Sequence, residues 1–111
     1  RQSERSRLDL PATGIHKEGL TDKNGEGLLN SYEMVIAPGG RSGDEVMSHT
    51  GEECGLVLAG RIVLEVGGDV WELAPGDSFR FSSLMPHRYW NPAEEDDARV
   101  IWTTTSGRQK T

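Results

Sequence analysis

Short apolar or alternating runs, each closed by glycine or proline, fill this chain. No segment sustains the period of about 3.6 residues that marks a helix. Cys54 to Ala59 is apolar and ends on Gly60. Gly60-Arg61 reads as a tight turn into Ile62 to Val66. Gly67-Gly68-Asp69 supplies the positive φ that a hairpin loop requires, and Val70 to Leu73 returns. Pro75-Gly76-Asp77 turns again into Ser78 to Phe81. His87 to Asn91 follows Pro86 and stops at Pro92, and Ala98 to Thr105 is the last strand. Upstream, Leu28 to Ala37 is a strand ended by Pro38-Gly39-Gly40. Arg7 to Leu10 and Ile15 to Leu20 are weaker candidates, and Thr21 to Gly27 has turn chemistry. Turn signals recur roughly every eight to twelve residues, which predicts an all-β sandwich or barrel.

The chain has 111 residues, which suits one domain. We expect a single domain over 1–111, with a polar arm over 1–7 and a barrel over roughly 28–105. A domain of this size buries roughly 65% of its unfolded surface, so one core suffices without covalent staples. The net charge of −6 disfavours nucleic-acid binding by this chain itself. One cysteine allows no intrachain disulfide, so a reducing cytoplasm is the expected home. No apolar run approaches the roughly 20 residues that span a bilayer, and no signal peptide is expected.

Side chains on a strand alternate between faces. If Glu53 points inward, so do Gly55 and Val57, while Cys54, Leu56 and Leu58 point outward. That outer face is also apolar, which predicts cover by a partner sheet and hence a homodimer. Tyr32, Met34 and Ile36 share a face, as do His16 and Glu18. His16 could enter a site from its early strand, but no spacing requires it. Parity turns Cys54 away from Glu53, so a buried structural cysteine is expected. Asn91 is expected to fix a turn. The four acids Glu94 to Asp97 read as a solvated loop tip.

His49, Glu53 and His87 form a candidate set of two imidazoles and one carboxylate. Such a set binds divalent zinc, iron, manganese or nickel and leaves positions open for water or substrate. The bland alternative is that His49 and Glu53 are surface loop residues.

Two longer patterns enclose these residues. One runs Gly43, Met47-Ser48-His49, Glu53, then six residues to Gly60. The other runs Gly68, Pro75-Gly76-Asp77, His87 and Asn91. Together they resemble the cupin superfamily over roughly Leu28 to Thr105. The resemblance implies a cupin double-stranded β-helix, a jelly-roll-like barrel of two antiparallel sheets. His49-Thr50-Gly51-Glu52-Glu53, Gly76-Asp77-Ser78-Phe79 and Pro86-His87-Arg88 are similar to the C-terminal sensor domain of Xre-type helix-turn-helix regulators. An opening residue that is not methionine fits a severed DNA-binding half. One departure matters: the family's first metal histidine falls on Met47, and a thioether is a soft, weak ligand.

Two forms of the site follow. His49, Glu53 and His87 hold a metal, or the site is an organic-ligand pocket in which the histidines are polar handles and Glu53 selects an amine or hydroxyl. Tyr32, Phe81, Tyr89 and Met47 are candidate ligand contacts, as are Met34, Phe79, Trp102 and Met85. The bland reading gives the aromatics to the core and the methionines to loop packing. The expected function is a ligand-sensing domain of a transcriptional regulator, reaching DNA only through an upstream helix-turn-helix domain. The alternative is a free-standing metal-dependent enzyme of the dioxygenase or isomerase type. A storage cupin with a plugged barrel is the third reading.

Overall fold

The computed structural model describes residues 7–10, 13–21, 28–42 and 50–105. Nine strands follow one another in chain order. They are β1 (Arg7–Leu10), β2 (Ile15–Gly19), β3 (Leu29–Ile36), β4 (Glu52–Ala59), β5 (Ile62–Val66), β6 (Asp69–Leu73), β7 (Ser78–Ser82), β8 (His87–Trp90) and β9 (Ala98–Thr105). Among the described residues there is no helix, and none long and apolar enough to cross a membrane.

The strands form two antiparallel sheets. The larger has the order β1-β2-β3-β9-β4-β7 and the smaller β6-β5-β8. After β3, the chain crosses between the sheets at each turn that leaves β4, β6, β7 and β8. This is the expected jelly-roll-like barrel.

The two-residue connection from β5 to β6 has φ of 58° at Gly67 and 92° at Gly68, the double left-handed geometry of a tight hairpin. The Pro75-Gly76 turn is stitched to β4. Gly76 N–H donates to the Val57 carbonyl at 2.8 Å, and Val57 N–H donates to the Asp77 carbonyl at 3.0 Å. The β4–β9 register shifts just there, between Val57 and Ala59.

The inward alternation supplies the core. Ile15, Met34, Ile36, Val57, Val100 and Trp102 come from the larger sheet, and Ile62, Leu64, Val66 and Tyr89 from the smaller. Burying each large apolar side chain is worth roughly 1.5–3 kcal/mol. Buried Asn91 fixes the turn after β8, as expected. Its amide donates to the Ile36 carbonyl at 2.9 Å and the Asp96 carbonyl at 2.8 Å.

The parity read for β4 holds, with Glu53 and Val57 buried and Leu56 and Leu58 exposed. The expectation for Cys54 needs correcting. It faces outward, as parity requires, but it is exposed rather than buried. Nothing among the described residues covers that face. The residues of the expected arm before Arg7, the turn over 22–27, Gly43, Met47 and His49 lie outside the described residues.

Gly60 and Gly68 separate two costs of adding a methyl group. Both have positive φ, at 71° and 92°. A Cβ at Gly68 meets nothing, whereas one at Gly60 is driven into the Asp97 carbonyl oxygen. Gly68→Ala should cost about 1 kcal/mol from backbone strain alone. Gly60→Ala should cost on the order of 2–4 kcal/mol, since overpacking adds to strain. Urea denaturation tests this, and equal losses would contradict it.

Candidate functional site

Glu53 lies on β4 opposite Thr104 of β9 and Phe81 of β7, facing the space between the sheets. Its side chain is 5% exposed, a burial that a carboxylate tolerates only with partners. Among the described residues three groups supply them. Trp102 on β9 donates its indole N–H to Oε1 at 2.7 Å. Ser83, just past β7, donates its hydroxyl to Oε2 at 3.0 Å. His87, the first residue of β8 in the opposite sheet, places Nε2 3.1 Å from Oε2.

His87 is oriented by its other nitrogen. Nδ1 lies 2.8 Å from the Met85 carbonyl, and a carbonyl can only accept, so Nδ1 carries a proton. Nε2 is left to face the carboxylate. A proton between Nε2 and Oε2 avoids two facing lone pairs.

The electrostatics agree with a charged pair. Burial pushes the Glu53 carboxyl up, but hydrogen bonds from His87, Trp102 and Ser83 and the imidazolium charge hold it below its usual 4.5. Burial pulls His87 down, but its bonds to Glu53 and the Met85 carbonyl, with the carboxylate charge, hold it above 6.5. Tyr89 is pushed up to about 12, first by burial and then by the Glu53 charge, so its hydroxyl keeps its proton.

The pair borders a cavity of about 170 Å³ lined by Lys17, Tyr32, Met34, Glu53, His87, Tyr89, Trp102 and Thr104. Six of the sequence-derived candidates therefore meet there: Glu53, His87, Tyr32, Met34, Tyr89 and Trp102. Phe81 instead lines a neighbouring apolar cavity of about 250 Å³ with Leu64, Val66, Trp71, Leu73 and Phe79. Its ring still lies 5.0 Å from the His87 imidazole. Met47 and His49 lie outside the described residues. Among the described residues, no group of three His, Cys, Asp or Glu comes together as a metal site. The imidazole nitrogen and carboxylate of His87 and Glu53 are chemically suited to a divalent ion, but they supply two donors only.

Three contributors differ in how far the sequence shows them. Lys17 was recoverable by parity, because Ile15, Lys17 and Gly19 share the face opposite His16 and Glu18. Trp102 was legible as an aromatic of the cavity or the core, but not as the donor to Glu53. Ser83 carries no signal in its loop sequence.

Comparison with known proteins adds a family match. The model described as "Cupin domain" matches residues 32–104. The HTH-type transcriptional regulator PuuR of Escherichia coli (strain K12) is 29% identical over 84 residues, covering 76% of this chain and 45% of that protein. The chain thus spans about half the length of this curated relative. Among solved structures, the Cupin_2 domain of an XRE family transcriptional regulator from Enterobacter cloacae matches with TM-score 0.73 and 19% identity. That match covers 86% of this chain and 99% of the other. A sugar phosphate isomerase of the cupin superfamily from Silicibacter pomeroyi matches with TM-score 0.70 and 22% identity, over 83% of this chain and 59% of the other. At these identities the structural likeness shows the fold alone.

The Glu53–His87 pair sets a pH dependence. Glu53, depressed in the folded state, contributes stability above its usual 4.5 and loses it as pH falls through the folded value. His87, raised in the folded state, contributes below its usual 6.5 and loses it as pH rises through the folded value. The pair's contribution should be largest between those two values. Glu53→Gln should cost about 3–5 kcal/mol there, as for one partner lost from a buried pair. Denaturant unfolding across pH checks this. A deficit that does not vary with pH would contradict the pairing.

Proposed function

The chain belongs to the Cupin_2 family of cupin domains, and on that premise we propose that it is the ligand-binding sensor domain of a transcriptional regulator. The observation that carries this reading is the half-open cavity between the sheets, with a buried Glu53–His87 pair beside Met34, Tyr89 and Trp102. A cavity of about 170 Å³ is small beside the roughly 300–1,000 Å³ of drug-sized sites, which suits a small metabolite. Both Glu53 oxygens already accept hydrogen bonds. That supports a binding role over proton transfer, and so supports a sensor over an isomerase-type enzyme. The likeness to part of the helix-turn-helix regulator PuuR supports a DNA-binding domain elsewhere in a longer cytoplasmic protein.

The metal-assisted form of this reading uses His49, Glu53 and His87 to hold zinc, iron, manganese or nickel. The ion would supply Lewis acidity toward a ligand oxygen. Elemental analysis of the purified chain tests it. Metal retained by the wild type and lost by His49→Ala is the expected result of that form. Metal content unchanged by the substitution removes His49 from the site.

The sensor reading predicts coupling. A small metabolite that raises the melting temperature should fail to do so with Glu53→Gln. In the full-length protein the same metabolite should change affinity for DNA of its own promoter by about 5-fold or more. Binding that leaves DNA affinity unchanged would contradict the reading.

The exposed outer face of β4, with Leu56 at 39% and Leu58 at 45%, supports a homodimer built by sheet-against-sheet packing. Light scattering should show a dimer that Leu56→Glu with Leu58→Glu converts to monomer. A wild-type monomer at micromolar concentration would contradict this.

A further inference from the structure

Among the described residues Lys17 is the one lysine that lines the cavity, and its placement there is costly. It lies on β2 between buried Ile15 and Gly19, opposite Met34 of β3. Its ammonium sits 5.5 Å from the centre of the Tyr32 ring. Removing a lysine from water disfavours its charged form, and burial pulls the Lys17 pKa down.

The nearby acids do not neutralise it. Glu18 and Glu33 are on the same two strands but on the opposite face. Glu18 lies 3.9 Å from Arg7, and Glu33 pairs with Arg99. Glu53 shares the cavity and its field reaches Lys17. Its oxygens are nevertheless committed to Trp102 at 2.7 Å, Ser83 at 3.0 Å and His87 at 3.1 Å. Among the described residues no carboxylate pairs with the Lys17 ammonium. The Tyr32 ring offers a cation–π contact, worth roughly 0.5–2 kcal/mol, which only partly replaces the water that a half-buried ammonium gives up.

We propose that Lys17 is the anchor for an anionic ligand, and that the molecule this cavity takes is a short-chain carboxylic acid. The carboxylate would meet the ammonium, and its hydrocarbon body would lie against Met34, Tyr89 and Trp102. One lysine suits a monoanion, whereas a phosphate is commonly held by several donors. The inference rests on the cavity being a ligand site, and it reverses the expectation that Glu53 selects an amine. Glu53 orders the cavity and Lys17 chooses the charge.

The test compares butyrate, butylamine and butanol, which share a carbon chain and differ in charge. Each is titrated at low ionic strength to tens of millimolar, with binding read from the Trp102 indole N–H resonance. Butyrate should bind most tightly. Lys17→Met should weaken butyrate by about tenfold or more, as for a lost charge-assisted hydrogen bond, and leave butanol unchanged. Lys17→Arg should retain most of the affinity. Lys17→Gln makes the same test if the methionine variant does not fold. Butylamine or butanol binding as tightly as butyrate, or a Lys17→Met variant that holds butyrate equally well, would overturn the carboxylate assignment and leave the cavity reading intact. No shift with any of the three would overturn both.

Discussion

The Glu53 carboxylate joins parts of the chain that are distant in sequence. It accepts from Trp102 on the last strand and from Ser83 in a loop, and it meets His87 across the gap between the two sheets. Each sheet could bury its apolar face in several ways, because hydrophobic contact is not directional. A buried carboxylate with three partners is directional. Sliding one sheet against the other would leave a charge in an apolar interior, at a cost of several kcal/mol. The pair thus favours one mutual placement of the sheets, and the cavity beside it inherits that placement.

The same interaction separates two tasks within the cavity. A carboxylate that holds an imidazole ring and an indole in place has little capacity left for a ligand. Glu53 and His87 build a polar floor, and Tyr89, a hydroxyl that keeps its proton, lines the same space. On the proposed reading, the cation on the β2 side distinguishes one ligand charge from another. A lysine kept there for recognition would lower stability, a common trade at binding sites.

Most strands were legible because local chemistry and global fold agree. Ile62–Val66 and Ala98–Thr105 run between turn signals, and the structure keeps those bounds. β4 begins at Glu52 rather than at Cys54. A charged pair resembles a loop in sequence, and only pairing with Ser82 and Thr104 draws Glu52 and Glu53 into the ladder. Cys54 was placed on the correct face but given the wrong environment, since parity says which way a side chain points and not what covers it. The convergence of Glu53 and His87 was legible from the two motifs. The donors to Glu53 were not, because an indole or a serine near a carboxylate leaves no periodic trace. Lys17 is hidden for a different reason: it sits on a short, weakly patterned strand beside an imidazole, where a lysine reads as solvent-facing.

The central claim is that a buried imidazolium–carboxylate pair bridges the sheets. The most direct measurement is a nitrogen-15 NMR titration of the His87 imidazole in chelator-treated protein, with and without Glu53→Gln. The account predicts a proton on Nδ1 throughout, a midpoint above 6.5 in the wild type, and a clear fall in the variant. A His87 ring that titrates at or below its ordinary value, and does not respond to the loss of the carboxylate, would contradict it.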